Sequence, residues 1–160
     1  MANNKAVESV WDYPRPPRLE RAGRRVRIVH QGIVLAESTE SLRVLETSHP
    51  PVYYIPPSEI AMEYMQRSTR RGSFCEFKGS ASYWSVNVAG KISADAAWSY
   101  AQPTTAFAGL RDHLAFYASR VDECYVDDER VSAQPGDFYG GWITSWLKGP
   151  FKGAPGTMGW

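Results

Sequence analysis

Hydrophobic and polar residues alternate along much of this chain with a period of two, the pattern of strands that bury one face. Val26, Ile28 and Val34 supply β-branched positions on either side of Gln31-Gly32. Arg27 to Ala36 therefore predicts two short strands joined by a hairpin turn. Leu42 and Val44 alternate with Arg43 and Leu45 in a third strand. Thr47-Ser48-His49-Pro50-Pro51 breaks the pattern, Val52 to Ile55 resumes it, and Pro56-Pro57 closes it. Ser58-Glu59-Ile60 is placed to cap a short helical turn running to about Tyr64. The polar, basic stretch from Gln66 to Gly72 reads as a loop.

The longest predicted strand runs from Ser80 to Val88. It sets Ser82, Trp84, Val86 and Val88 on one face and Ala81, Tyr83, Ser85 and Asn87 on the other. Ala89-Gly90-Lys91 turns the chain into a return strand, Ile92 to Tyr100, that carries Trp98 and Tyr100. A connection with a turn of helix follows over Gln102 to Leu110. Leu114 to Tyr117 and Glu123 to Val126 are strand-like, and Asp127-Asp128 turns into a segment beginning at Arg130-Val131. So many short strands with regular turn signals predict a mainly β, antiparallel sheet or barrel. The organisation reads as a Pro/Arg-rich arm over 1–24, a core over 25–134, and an aromatic Gly/Pro-rich tail over 135–160. Trp11 and Tyr13 are expected to pack on the body, and the tail rings on the body or on a partner.

Composition sharpens this picture in three places. The 160 residues are 43% hydrophobic and 22% charged, enough for one domain with its own core. The net charge is +1, so no general pull on nucleic acid or membrane is expected. Only Arg24, Arg25 and Arg27 keep a nucleic-acid reading alive. The polar start at Met1 to Lys5 and the lack of any apolar stretch near ~20 residues predict no leader and no span. Cys75 and Cys124 stand alone, and His30, His49 and His113 lack ligand spacing. A reducing, cytoplasmic setting with no metal and no cofactor is therefore expected.

Aromatic residues make up 13% of the chain, and buried Tyr and Trp need hydrogen-bond partners. Tyr53, Tyr54, Tyr83, Trp84, Trp98, Tyr100 and Phe116 form either a core layer or a cage for a planar or cationic ligand. In Cys75-Glu76-Phe77-Lys78-Gly79 the lysine stabilises a thiolate if a turn ending at Gly79 brings it to Cys75. The plain alternative is a buried cysteine and a solvated lysine. His49 reads as a general base, with or without Cys75 as its partner, or as a structural hydrogen-bonder. Glu46 and Asp95 are candidate binding carboxylates. Gly79-Ser80 followed by Asp95 lacks the second acid of a nucleotidyltransferase pattern, and there is no Gly-x-x-x-x-Gly-Lys loop.

Several motifs stand together in one order. They are Glu8-Ser9-Val10-Trp11-Asp12-Tyr13-Pro14, Thr47 to Pro56, Cys75 to Gly79, and Ala81-Ser82-Tyr83-Trp84-Ser85-Val86. Ala96-Ala97-Trp98-Ser99-Tyr100, Ala115-Phe116-Tyr117 and Phe138-Tyr139-Gly140-Gly141-Trp142 complete them. The combination closely resembles the bacterial family known as domain of unknown function 427. Glu76-Phe77 departs from the family's usual Pro-Tyr after the cysteine, which removes a hydroxyl. The resemblance implies a β-tent fold, two antiparallel sheets set at an angle. That group includes methionine-R-sulfoxide reductases and the thalidomide-binding domain of cereblon. Many of its members hold zinc on two Cys-x-x-Cys knuckles, absent here, so a zinc-free variant is implied. The family also carries a nucleotidyltransferase-like label that no motif here supports.

The favoured expectation is a small-molecule binding domain. Tyr54, Tyr83, Trp84, Trp98 and Tyr100 would cover a planar ligand of unknown identity while Lys78 neutralises an anionic group. Two alternatives stay open. One is a cysteine-dependent enzyme or redox protein using Cys75, Lys78 and His49. The other is an interaction or homo-oligomerisation protein acting through the tail.

Overall fold

The period-two segments pair as strands, and the chain is mainly β. The computed structural model describes residues 6–69, 74–75, 78–136 and 138–160. Met1 to Lys5, the end of the basic stretch at 70–72, Ser73 and the Glu76-Phe77 departure lie outside the described residues. Val26–His30 and Ile33–Ser38 form the expected hairpin. Gln31 and Gly32 turn it with φ of 49° and 77°, the two positive values that a tight hairpin turn demands. Glu123–Val126 and Glu129–Arg130 extend this pair into a four-stranded antiparallel sheet.

Arg18–Arg21, Leu42–Leu45 and Val52–Tyr54 form a second, three-stranded sheet. Alternation holds in its middle strand. Leu42 and Val44 turn to the core around Trp98, while Leu45 packs with Val10 and Tyr13. Arg43 points the same way as Leu45 and spans the two carboxylate oxygens of Glu8, each at 3.1 Å, and Glu20 at 2.8 Å. Burial works to raise the Glu8 pKa, but the hydrogen bonds from Arg43 and Tyr13 prevail and hold it below the usual value.

The third sheet runs Leu114–Phe116, Lys91–Ser99, Ser82–Val88, Met65–Arg67, all antiparallel. Ile55 and Leu114 exchange backbone hydrogen bonds of 2.8 and 2.9 Å, which ties it to the three-stranded sheet. Met65–Arg67 corrects the expectation of a loop from Gln66. Only Met65 is buried there, and Gln66 and Arg67 are exposed. A polar strand at a sheet edge carries no apolar alternation to betray it. The helical turn expected over Ser58 to Tyr64 is two 3-10 turns, Pro57–Glu59 and Met62–Tyr64, and Ser58 caps neither. None of the sheets among the described residues closes into a barrel.

The two faces of the third sheet have different fates. Val86, Val88 and Ala97 pack against Val26, Ile28, Leu35 and Val126 of the first sheet. Ala81, Tyr83, Trp98 and Tyr100 face Val44, Tyr54, Phe107 and Leu110 on the other side. The tail returns to the body: Trp142 and Trp146 are buried, and Leu147–Lys148 pairs in parallel with Glu8–Ser9. Trp11 meets Trp160 edge to face at 5.2 Å and donates Nε1–H to the Pro150 carbonyl at 2.8 Å. No helix among the described residues is long and apolar enough to cross a membrane.

Candidate functional site

Strand register decides which aromatic rings meet. Tyr83 lies directly opposite Trp98, so both project from one face of the third sheet. Trp84 lies opposite Ala97 and projects from the other face, where its Nε1–H donates to Ser99 Oγ at 2.9 Å. Arg67 covers its ring at 5.2 Å. Trp84 therefore does not join the wall formed by its neighbours, a correction that follows from the period of two. Asp95 does not join the Trp98 wall either. It sits where the register shifts, with φ of 51°, and its backbone N–H donates to Ser85 Oγ. That is the geometry of a bulge residue. Tyr53 and Phe116 are core, Tyr53 stacked 5.3 Å from Trp142.

On the Trp98 face lies a cavity of about 210 Å³. Tyr54, Tyr83, Trp98, Tyr100, Tyr117, Phe138 and Tyr139 line it, with Cys75, Lys78, His49 and Glu46 among them. Trp98 is wedged in place. Its Nε1–H donates to the Tyr54 hydroxyl at 3.4 Å, and its ring lies 4.6 Å from Tyr117. Gly140 closes the remaining side so tightly that a Cβ there would stand 2.2 Å from Trp98 Cη2. Burial pushes the phenols of Tyr54 and Tyr100 well up, so both stay protonated at neutral pH. The wall is thus apolar and uncharged over most of its area.

The polar groups come from two short loops. Phe74–Cys75 pairs with Gly79–Ser80, and Lys78 N–H closes the turn on the Cys75 carbonyl at 3.2 Å. Gly79 makes this turn possible with φ of 110°, and it packs against the backbone of Gln102 to Thr104. Cys75 and Lys78 consequently reach one cavity instead of opposite faces of a strand. The Lys78 ammonium stands 5.8 Å from the Phe107 ring.

The second loop, Glu46 to Pro50, brings in His49 and Glu46. His49 is 7% exposed, and its Nδ1 lies 3.1 Å from Gln134 Nε2. Burial lowers its pKa to about 4, helped by the charges of Lys152, Arg15 and Lys78. Glu46 Oε2 lies 3.8 Å from Nε2 and is itself paired with Arg15 at 3.6 Å. A histidine buried neutral predicts acid instability. The unfolded ring takes its proton near ~6.5 and the folded one near 4. The contribution is intact above pH 6.5, falls by about 3 kcal/mol between pH 6.5 and 4, and is constant below that. Urea unfolding across that range should show the loss in the wild type and a flatter profile in His49→Gln.

Cys124 is buried in the other core, and burial pushes its thiol up against the opposing charge of Arg130. It does not line the cavity with Cys75. Among the described residues no three of His, Cys, Asp and Glu gather as metal ligands. Sequence reasoning passed over Tyr117, Gln134, Tyr139 and Gly140 as site residues. Tyr139 and Gly140 lie within the aromatic Gly-rich motif of the tail, a usable signal. Gln134 has none, because it meets His49 across 85 residues of chain.

Residues 18–127 match the model of the family described as a domain of unknown function (DUF427), and the chain belongs to that family. No curated protein matches it.

Proposed function

We propose that this member of the DUF427 family binds a small planar organic anion in the cavity beside Trp98. The observation that carries the reading is a partly open pocket with aromatic walls and a few convergent polar groups, the usual make-up of a ligand site. Its size limits the occupant. A cavity of about 150 Å³ holds benzene, so 210 Å³ suits a ring with a substituent. Lys78 sets the charge: it is the cation in the wall, and no carboxylate among the described residues forms an ion pair with it. The rings of Tyr83, Trp98 and Tyr100 cover the planar body, and Lys78 takes the anionic group. Two free cysteines fit a protein of the cytoplasm.

Calorimetric titration with benzoate and indole-3-carboxylate, each beside its carboxamide, tests this. The carboxylates should bind the wild type more tightly. Lys78→Met should cost them about 1.5–3 kcal/mol, roughly tenfold or more, and leave the amides unchanged. Equal affinity of acid and amide, or no effect of Lys78→Met, would count against the reading.

Cys75 supports a second reading, because its place beside Lys78 puts a thiol where a ligand would lie. A nucleophilic or redox Cys75 should be alkylated by iodoacetamide at neutral pH faster than glutathione is. A rate no greater than that of glutathione removes this reading.

A further inference from the structure

Gln134 is held by two backbone groups whose chemistry admits one orientation. The Gly141 N–H can only donate, so at 3.0 Å it fixes Oε1. The Lys152 carbonyl can only accept, so at 2.8 Å it fixes Nε2. The amide NH₂ therefore faces His49 Nδ1, which must accept. The imidazole carries its proton on Nε2. Among the described residues that Nε2–H has no hydrogen-bond partner, and Glu46 Oε2 at 3.8 Å is out of reach. His49 is more than nine-tenths buried and lines the cavity. An occupant of the cavity can therefore bring that N–H its partner.

We propose that the Glu46–His49 corner is a second subsite, where His49 Nε2–H takes a neutral carbonyl oxygen of the ligand and Gln134 is the positioning residue that fixes the tautomer. The neutral partner follows from Glu46, whose Oε2 stands 3.8 Å from Nε2 itself, while Arg15 is paired with Glu46 and Lys78 is taken by the ligand's anionic group. An anionic oxygen at hydrogen-bond distance from Nε2 would stand against that carboxylate, whereas a carbonyl oxygen bears no net charge. The charged and titratable groups around the ring are Glu46, Arg15, Lys78, Lys152 and Tyr139. Burial, helped by the three cations, keeps the ring neutral at physiological pH. The ligand class is then a planar aromatic acid with a ketone or amide carbonyl: the anion goes to Lys78 and the carbonyl to His49. This rests on the cavity being a ligand site, as read above.

The test has two parts. Long-range ¹H–¹⁵N spectra of the wild type, with His49→Phe for assignment, should show His49 as the Nε2–H tautomer at pH 7. Gln134→Leu should release that tautomer into a mixture. The binding probes are 3- and 4-acetylbenzoate and their isopropenyl isosteres, which replace C=O by C=CH₂. At least one ketone should bind roughly three- to tenfold more tightly than its isostere, and His49→Phe should abolish the difference. An Nδ1–H or doubly protonated His49 overturns the proposal, as does equal affinity of each ketone and its isostere. Equal affinity sinks the subsite alone. Failure of all four probes to bind sinks the reading of the cavity as well.

Discussion

Replacing Trp142 with alanine is expected to destabilise the protein by about 3–5 kcal/mol. The residue is 1% exposed, stacks on Tyr53 at 5.3 Å and donates Nε1–H to the Phe116 carbonyl at 2.9 Å. Its backbone N–H donates to the Pro51 carbonyl at 2.9 Å, next to the loop that carries His49. Truncation removes a large ring from a closed core and leaves a buried carbonyl unpaired, and the expected loss covers both. The consequence reaches function, because Trp142 follows closely on Phe138, Tyr139 and Gly140, which line the cavity with Gln134. The folded fraction of Trp142→Ala should bind benzoate-type probes weakly or not at all. Trp142→Phe keeps most of the ring and should lose about 1–3 kcal/mol, the cost of the stranded carbonyl. Urea midpoints read both values. A loss below 1 kcal/mol for the alanine variant would show that the tail is not part of the core.

The second large effect concerns Gly140. A methyl group at this position would stand 2.2 Å from Cη2 and 2.7 Å from Cζ3 of Trp98. The indole has little room to yield, since Tyr54 holds its N–H and Tyr117 lies against its face. Gly140→Ala should therefore push Trp98 into the cavity or displace the 138–141 stretch. Overpacking of this kind costs about 1–3 kcal/mol. Binding should suffer more than stability, with affinity for indole-3-carboxylate reduced at least tenfold while the fold persists. The paired readout is urea unfolding and calorimetric titration on the same preparation. Unchanged affinity would mean that Trp98 does not line the binding space.

The central hairpin was legible because its signals are local. Alternation placed Tyr83 and Trp84 on opposite faces, and Ala89-Gly90 marked the turn that brings Trp98 alongside. The same alternation already excluded Trp84 from the wall that holds Tyr83, so that error came from grouping rings by strand and not by face. Cys75 and Lys78 converge because Gly79 allows a turn, and a Gly after a Lys is a visible hint. His49 and Glu46 were visible as chemistry but not as neighbours of Lys78. Their proximity depends on the pairing of Leu42–Leu45 with Val52–Tyr54 and on the bridge from Ile55 to Leu114. Gln134 was beyond sequence reasoning altogether, because its role rests on backbone groups of Gly141 and Lys152. The edge strand Met65–Arg67 was missed since a polar edge carries no hydrophobic period. Local pattern thus exposed the aromatic wall, whereas long-range packing assembled its polar corner.

The most direct test of a ligand site beside Trp98 is an indole N–H spectrum recorded during a titration. Indole-3-carboxylate added to ¹⁵N-labelled protein should shift the Trp98 Nε1–H signal in a saturable way. The Trp84 signal, from the opposite face of the same sheet, should stay in place, and Lys78→Met should weaken the response at least tenfold. A Trp98 signal that does not move, or one that moves no more than Trp84, would contradict the account.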